Sequence, residues 1–289
     1  MDLFASGIPF WKANLHCHTT ESDGRLSPAE VKEAYRQLGY DFLAITDHRK
    51  MTEDTHMEDG MLMLSGLEMD FMLPSEALHI VGVGMNRQLL QHSLTESPQT
   101  CIDLFRQYGG RAIVAHPAWS LNSLATLSGL RDVTAAEIYN SVSTYPWNGD
   151  RADASHILDV AAAHGTFYRF VASDDSHEYE GEAGRSFIMV QAPELTWEGL
   201  SAALDAGRFY ASQGPRFEQI SVESGKVSVV CSPADTILFY SNVVWTPNRC
   251  VTGSGMTHAE YTFNPGDTHV RVQLIDTRGR SAWSNPILR

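Results

Sequence analysis

At 289 residues the chain has room for one large domain and a smaller one, and its 43% apolar and 10% aromatic content is that of a globular protein with a sizeable core. Residues 216–289 hold seven Lys/Arg and six Asp/Glu, so of the net charge of −14 the first 215 residues carry −15, which argues against duplex nucleic acid as a partner and suits a site that gathers cations. No run approaches the ~20 apolar residues of a membrane span, Met1-Asp2-Leu3-Phe4 lacks the basic flank of a signal peptide, and four scattered cysteines (Cys17, Cys101, Cys231, Cys250) point to a reducing, cytoplasmic home without disulfides.

The first element is a short apolar strand ending in Asn14-Leu15-His16-Cys17-His18, followed by a polar turn with Asp23-Gly24. On extended backbone His16 and His18 leave one face and Cys17 the other, so two imidazoles and a nearby carboxylate form one corner of a metal site, with Cys17 in the core. Ser27-Pro28-Ala29-Glu30 supplies an N-cap, a proline at the first helical position and a capping-box glutamate, and Gly39 stops the helix. Residues 41–46 form a buried-type strand that ends in Asp47-His48, where Asp47 is expected to orient a ligating imidazole. A strand over 61–67 ends at Glu68, and one over 78–84 begins beside His79. A helix over 98–108 leads into strand 111–115, which ends at His116-Pro117, and 135–139 is a strand carrying Glu137, expected in a buried salt bridge or behind a ligand and not as a ligand itself. A helix over 152–164 precedes strand 167–172, which ends in Ser173-Asp174-Asp175-Ser176-His177, and a last helix over 197–206 closes at Gly207.

Strands alternating with helices predict an α/β fold of βαβ units with parallel strands, whose site lies at the carboxyl ends. Strand after strand here ends in His, Asp or Glu. After about residue 216 the texture changes: runs at 217–223, 227–232, 236–241, 260–263 and 269–276 follow without a helical pattern. They predict a small all-β, sandwich-like domain over 216–289 behind a catalytic domain over 1–215.

The candidate ligands are His16, His18, Asp23, His48, Glu68, His79, His116, Asp175 and His177. Imidazole and carboxylate without thiolate suit Zn, Mn or Fe, and nine groups exceed what one ion uses, so two or three divalent ions are expected. Spacing pairs Asp175 with His177 and leaves Asp174 behind it. Arg25, Arg49 and Arg185 near the strand ends are candidate phosphate-binding residues. Trp119, Tyr145 and Trp147 are candidate pocket walls, whereas His56, His92, His156 and His164 read as surface residues.

The order HxH, Ser-Asp-Gly, Thr-Asp-His, Gly-Leu-Glu, His, Ala-His-Pro and Asp-x-His over about residues 12–213 resembles the PHP (polymerase and histidinol phosphatase) family. The resemblance implies a distorted seven-stranded β/α barrel, a trinuclear metal site and hydrolysis of phosphate esters. It implies His16, His18, Glu68 and Asp175 on a first metal, Glu68 bridging to a second held also by His79 and His116, and Asp23, His48 and His177 on a third. Residues 207–215 and 282–287 are similar to segments of the carbaryl-hydrolase-like branch, which appends a β domain. The expected reaction is hydrolysis of a small phosphomonoester or nucleotide-like phosphodiester by a metal-bridged hydroxide, with Glu68, Asp175 and His177 as catalytic groups and either Asp175 or His177 as acid for the leaving group. A carboxyl or carbamate ester is the alternative substrate, and a non-catalytic binding protein the third reading. No membrane partner is expected.

Overall fold

The structure is a computed structural model and describes residues 2–5, 7–144 and 148–289. β1 (Phe10–Asn14) runs into the two histidines. α1 (Pro28–Gln37) begins with the capping box read from the sequence: Ser27 Oγ accepts from the Glu30 amide and the Glu30 carboxylate accepts from the Ser27 amide at 2.8 Å. Then come β2 (Phe42–Ala44), β3 (His56–Glu58), β4 (Met61–Leu64), β5 (Gly66–Met72), β6 (Ala77–Val83), α2 (Pro98–Gln107), β7 (Arg111–Val114) and α3 (Leu124–Gly129). β8 (Ala135–Asn140), α4 (Ser155–Ala163), β9 (Phe170–Ser173), β10 (Phe187–Gln191), α5 (Trp197–Ala206) and β11 (Phe209–Ser212) complete this half. The single strand expected to end at Glu68 is broken in two at Ser65, whose amide turns to Thr55 Oγ1 at 3.1 Å. Gly66 then passes so close to Ile45 that a Cβ would lie 2.7 Å from its carbonyl oxygen. Glu68 therefore sits inside β5 and not at a strand end.

These strands do not close into a seven-stranded parallel barrel. β1, β2 and β4 pair in parallel, while β10 adds antiparallel to β1 and β11 antiparallel to β10 in the same sheet. A second sheet has the order β5-β6-β7-β8-β9, antiparallel up to β7 and parallel beyond it. Isolated bridges at His48–Glu68 and Cys17–Ser176 are what the two sheets share. A ladder needs extended backbone, and the chain leaves β9 through Asp175 at φ 54°, so only Ser176 still meets Cys17. Between the sheets, Leu15, Phe42, Leu64, Val81, Val83, Ile113 and Val171 pack with Leu200 and Leu204 of α5 into a dry core. Each such side chain contributes about 1.5–3 kcal/mol by leaving water. The interior is plugged, and the polar residues collect where β1, β7 and β9 finish and β6 begins.

The C-terminal half is β12 (Phe217–Glu223), β13 (Lys226–Ser241), β14 (Cys250–Thr262), β15 (His269–Ile275), β16 (Ser281–Trp283) and β17 (Ile287–Leu288). The runs 227–232 and 236–241 are one strand, β13. Its register against β14 shifts around Ala234, beside Pro233, which has no N–H to give to a ladder. Gly253 and Gly255 hide the start of β14 from sequence pattern. This half is all strand among the described residues, yet it is not a sheet apart: Ala211 and Ser212 of β11 pair with Trp283 and Ala282 of β16. Residues from the other terminus join it, with the Leu3 amide donating to the Ile220 carbonyl at 2.9 Å and Phe4 packed edge-on against Tyr210. Arg271 on β15, 1% exposed, reaches across to Asp159 of α4 through two 2.6 Å hydrogen bonds. No helix of the described residues is long and apolar enough to cross a membrane.

Candidate metal centre

The nine residues named from the sequence meet at one place. His16 and His18 follow β1, Asp23 lies in the next turn, and His48 follows β2. Glu68 and His79 stand on β5 and β6, His116 follows β7, and Asp175 and His177 follow β9. Their ligand atoms form four overlapping groups, each with all atoms within 4.8 Å of one another: His18, Asp23, His48 and His177; His16, His18 and Asp175; His16, Glu68 and His116; His48, Glu68 and His79. Glu68 is the hub. Its Oε2 is 3.3 Å from Nε2 of His16, Nε2 of His18 and Nδ1 of His48, and its Oε1 is 2.8 Å from His79 Nδ1 and 3.3 Å from His116 Nε2. Asp175 Oδ1 lies 3.1 Å from Nε2 of both His16 and His18. Asp23, the exposed member, is 3.5 Å from His18 Nδ1 and His177 Nε2 and 3.6 Å from His48 Nε2. His116 and Asp175 both hold positive φ, 28° and 54°, a strain of about 1–3 kcal/mol each for residues with a Cβ.

The donor set fits metal ions. His16 Nδ1 meets Glu137 Oε1 at 2.8 Å and must be protonated to bond it, which leaves the Nε2 lone pair facing Asp175, Glu68 and, at 3.2 Å, the Nε2 of His18. His116 Nδ1 pairs with Ser120 Oγ at 2.9 Å, and His177 Nδ1 bonds the Asp175 main-chain carbonyl at 2.8 Å, so their Nε2 atoms face inward as well. Asp175 Oδ1 and His48 Nδ1 are buried without a hydrogen-bond partner. Acceptors facing acceptors in a buried place cost several kcal/mol unless a cation stands among them.

Protons and metal ions compete for these nitrogens. Burial pushes the His18 imidazolium down, but the Asp175 and Glu68 carboxylates outweigh it and lift the group to about 9. His16 is raised in the same way by Asp175, Glu68 and Glu137 against its own burial, and His177 by Asp23 and Asp175. Burial pulls Glu68 and Asp175 up, and the facing imidazoles override it and hold both well below the usual carboxylate range. A hydrogen bond with His177 does the same for Asp23.

The expected orienting role of Asp47 is a correction. Its carboxylate takes the Thr19 amide at 2.7 Å, Ser22 Oγ at 2.8 Å and Thr52 Oγ1 at 2.6 Å, and so clamps the turn that presents Asp23. The carboxylate behind an imidazole is Glu137, which also accepts from the His116 amide at 2.7 Å, from Asn140 Nδ2 at 2.8 Å and from Ser173 Oγ. A lone glutamate ending a strand was the only sequence signal for it, and Asn140 and Ser173 gave none. Asp174 points away: it takes the amides of Gly184, Arg185 and Ser186 at 2.7–2.8 Å and the Tyr35 hydroxyl at 3.1 Å, and burial lifts it to about 6. Cys17 is buried, with Sγ on the Ala44 carbonyl at 3.3 Å.

A cavity of about 300 Å³ opens on the centre, lined by eight of the nine residues, all but His16, together with Trp119, Val142, Ser143 and Asn148. None of the three arginines lines it. Arg25 is turned to Glu178 at 2.9 Å, Arg49 is held in a fork by Asp70 at 2.7 Å, and Arg185 is exposed. Arg25 and Arg49 meet carboxylates placed by other strands and turns, which adjacency to Asp23 and His48 does not reveal. Tyr145 and Trp147 lie outside the described residues.

No family model matches the sequence. A two-domain protein from Bacteroides vulgatus, described as containing a predicted PHP-like metal-dependent phosphoesterase, superposes with a TM-score of 0.55 at 16% identity over 94% of this chain and 92% of its own. The two share a fold. An amidohydrolase from Chromobacterium violaceum aligns at a TM-score of 0.43, 16% identity, 66% of this chain and 96% of its own, too low a likeness to bear on function. In sequence, 82 residues are 38% identical to a 5'-3' exoribonuclease of Haemophilus influenzae, which is 26% of this chain and 30% of that curated protein. The match thus spans less than a third of that relative's length.

Proposed function

We propose that the chain is a metal-dependent phosphoesterase that hydrolyses a small phosphomonoester or a nucleotide-like phosphodiester, with residues 1–215 carrying the centre. The supporting observation is the set of buried acceptors facing one another, above all the unpartnered Asp175 Oδ1 between two inward Nε2 atoms. His16, His18, Glu68 and Asp175 would hold one ion (Zn, Mn or Fe), Glu68, His79 and His116 a second, and Asp23, His48 and His177 a third. Bound there, the ions supply Lewis-acid charge to the phosphoryl oxygens and a nucleophile at neutral pH. Glu137 keeps His16 turned inward by holding its Nδ1 proton. With two ions bound, His177 Nε2, at the partly exposed mouth and braced through Nδ1, can hold the proton that the leaving oxygen takes, and a third ion would take that place. Asp175 lines the floor of the cavity with its side chain 5% exposed, against 27% for His177 at the mouth, so of the two candidate acids His177 is the more open to a leaving group.

The stretch of likeness to a protein named as an exoribonuclease favours a phosphoester over a carboxyl or carbamate ester. A panel of phosphomonoesters, phosphodiesters and 1-naphthyl carbamates, run on the metal-loaded chain beside His16→Ala, tests the reading. Phosphoester turnover lost in His16→Ala is expected. Turnover of carbamates alone, or equal rates in the variant, would sink it.

A further inference from the structure

Beyond the histidines and carboxylates, the cavity is walled by Trp119, Val142, Ser143 and Asn148. These residues brace one another. Trp119 Nε1 donates to Asn148 Oδ1 at 2.9 Å, Asn148 Nδ2 donates to the Val142 carbonyl at 3.0 Å, and Ser143 Oγ donates to Asn140 Oδ1 at 2.8 Å. The half-buried indole stands roughly perpendicular to two imidazoles, with centroids 4.9 Å from His116 and 5.9 Å from His79. Its one N–H is used inside the wall, so it offers the cavity carbon and π surface alone. Val142 adds carbon.

Among the described residues no Lys or Arg lines the cavity. Arg25 and Arg49 are paired with Glu178 and Asp70 and neither lines the cavity, while the exposed carboxylate of Asp23 does. A phosphate seated on the centre would therefore project its ester group toward an indole, a valine and spent polar groups. A second phosphate within the cavity would meet the Asp23 carboxylate and no Lys or Arg. At about 300 Å³ the space is at the small end of ligand pockets, room for a single ring.

We propose that the Trp119 wall selects a phosphoester whose leaving group is one flat, uncharged ring and disfavours a substrate bearing a second phosphate. The inference rests on the phosphoesterase reading above. Phosphonates, which do not turn over, separate the two. Calorimetry on the manganese-loaded full chain is expected to show phenylphosphonate binding roughly tenfold more tightly than methylphosphonate, the scale of ring stacking on an aromatic side chain. Benzene-1,4-bisphosphonate should bind more weakly than phenylphosphonate. Trp119→Ala should erase the phenyl-over-methyl preference and Trp119→Phe should keep most of it. Metal content is measured for each variant because the indole touches His79 and His116, and Val142→Asp, which puts a charge into the wall, is the second probe, expected to cost phenylphosphonate more than methylphosphonate.

Equal affinity for the two monophosphonates, tightest binding of the bisphosphonate, or a preference that survives both Trp119→Ala and Val142→Asp would overturn the proposal. If phenylphosphonate is preferred but no phosphoester is hydrolysed, the reaction reading fails and the wall stands. If phenyl and methyl phosphate are hydrolysed with equal KM, the reaction stands and the wall fails.

Discussion

The two halves of the molecule bury charge to opposite ends. In the C-terminal half every buried charge is matched. Arg271 has Asp159, and Asp267 accepts from Ser241 Oγ at 2.7 Å, the Tyr261 hydroxyl at 2.8 Å and the Asn264 amide at 2.7 Å. In the N-terminal half, His16, His18, Glu68 and Asp175 are equally buried but face one another, so that protons on the imidazoles or a metal ion must stand between nitrogen and carboxylate. Matched burial holds a fold together; a cluster of inward imidazoles and carboxylates that needs positive charge at its centre suits a cation, proton or metal. The contrast can be attacked from either side.

The largest effect is expected at the unmatched side. His16→Ala should cut turnover on the order of 10³-fold, because it removes an anchor of the charge that stabilises the transition state, and leave the thermal midpoint of the metal-free protein unchanged or raised. Assays on purified variant and circular dichroism check the two halves of that statement. At the matched side, Arg271→Met should do the reverse. It strands Asp159 and should cost about 2–3 kcal/mol in denaturant unfolding, discounted for the partial exposure of Asp159, with metal content per chain unchanged. Glu137→Gln is milder: weakened orientation of His16 should lower metal affinity about 10–100-fold, and competition with a chelator measures it.

The most diagnostic effect is the pH dependence of metal affinity. His18 keeps its proton up to about pH 9 in the folded chain, so a metal must displace it. Apparent affinity should then rise between pH 6 and 9, roughly tenfold per unit for each proton released, and fall as acid returns the proton. A flat profile would show that the metal displaces no proton from the raised imidazoles of His16, His18 and His177.

Much of the centre was legible because each candidate ligand announces itself locally. HxH on extended backbone puts both rings on one face, whereas Asp175 and His177 reach the centre from a turn in which Asp175 is left-handed, φ 54°, so strand alternation is not what pairs them. Helix boundaries set by Ser27-Pro28 and by Gly207 were legible for the same reason: a cap is a contact within four residues. What depends on distant partners was not. Nothing near Asp47 says that it will clamp Thr19, Ser22 and Thr52, and nothing near Glu137 says that His16, 121 residues away in sequence, will lean on it. The arginines failed as pocket residues because Glu178 and Asp70 capture them. Sheet order failed because antiparallel pairing of β5 with β6 and β6 with β7 leaves the same alternating texture as parallel pairing would. The bend in β13 was hidden because a bulge at Pro233 looks, in one dimension, like a gap between two strands.

The shared ladder between β11 and β16 bears on how this protein can be cut. Phe209, Tyr210, Ala211 and Ser212 are all buried, and β16 covers one side of their backbone. A chain ended at Pro215 would keep every candidate ligand and yet bare a fresh strand edge with apolar side chains on it, an invitation to pair with a neighbour. The C-terminal strands thus act as a permanent edge guard for the half that holds the chemistry.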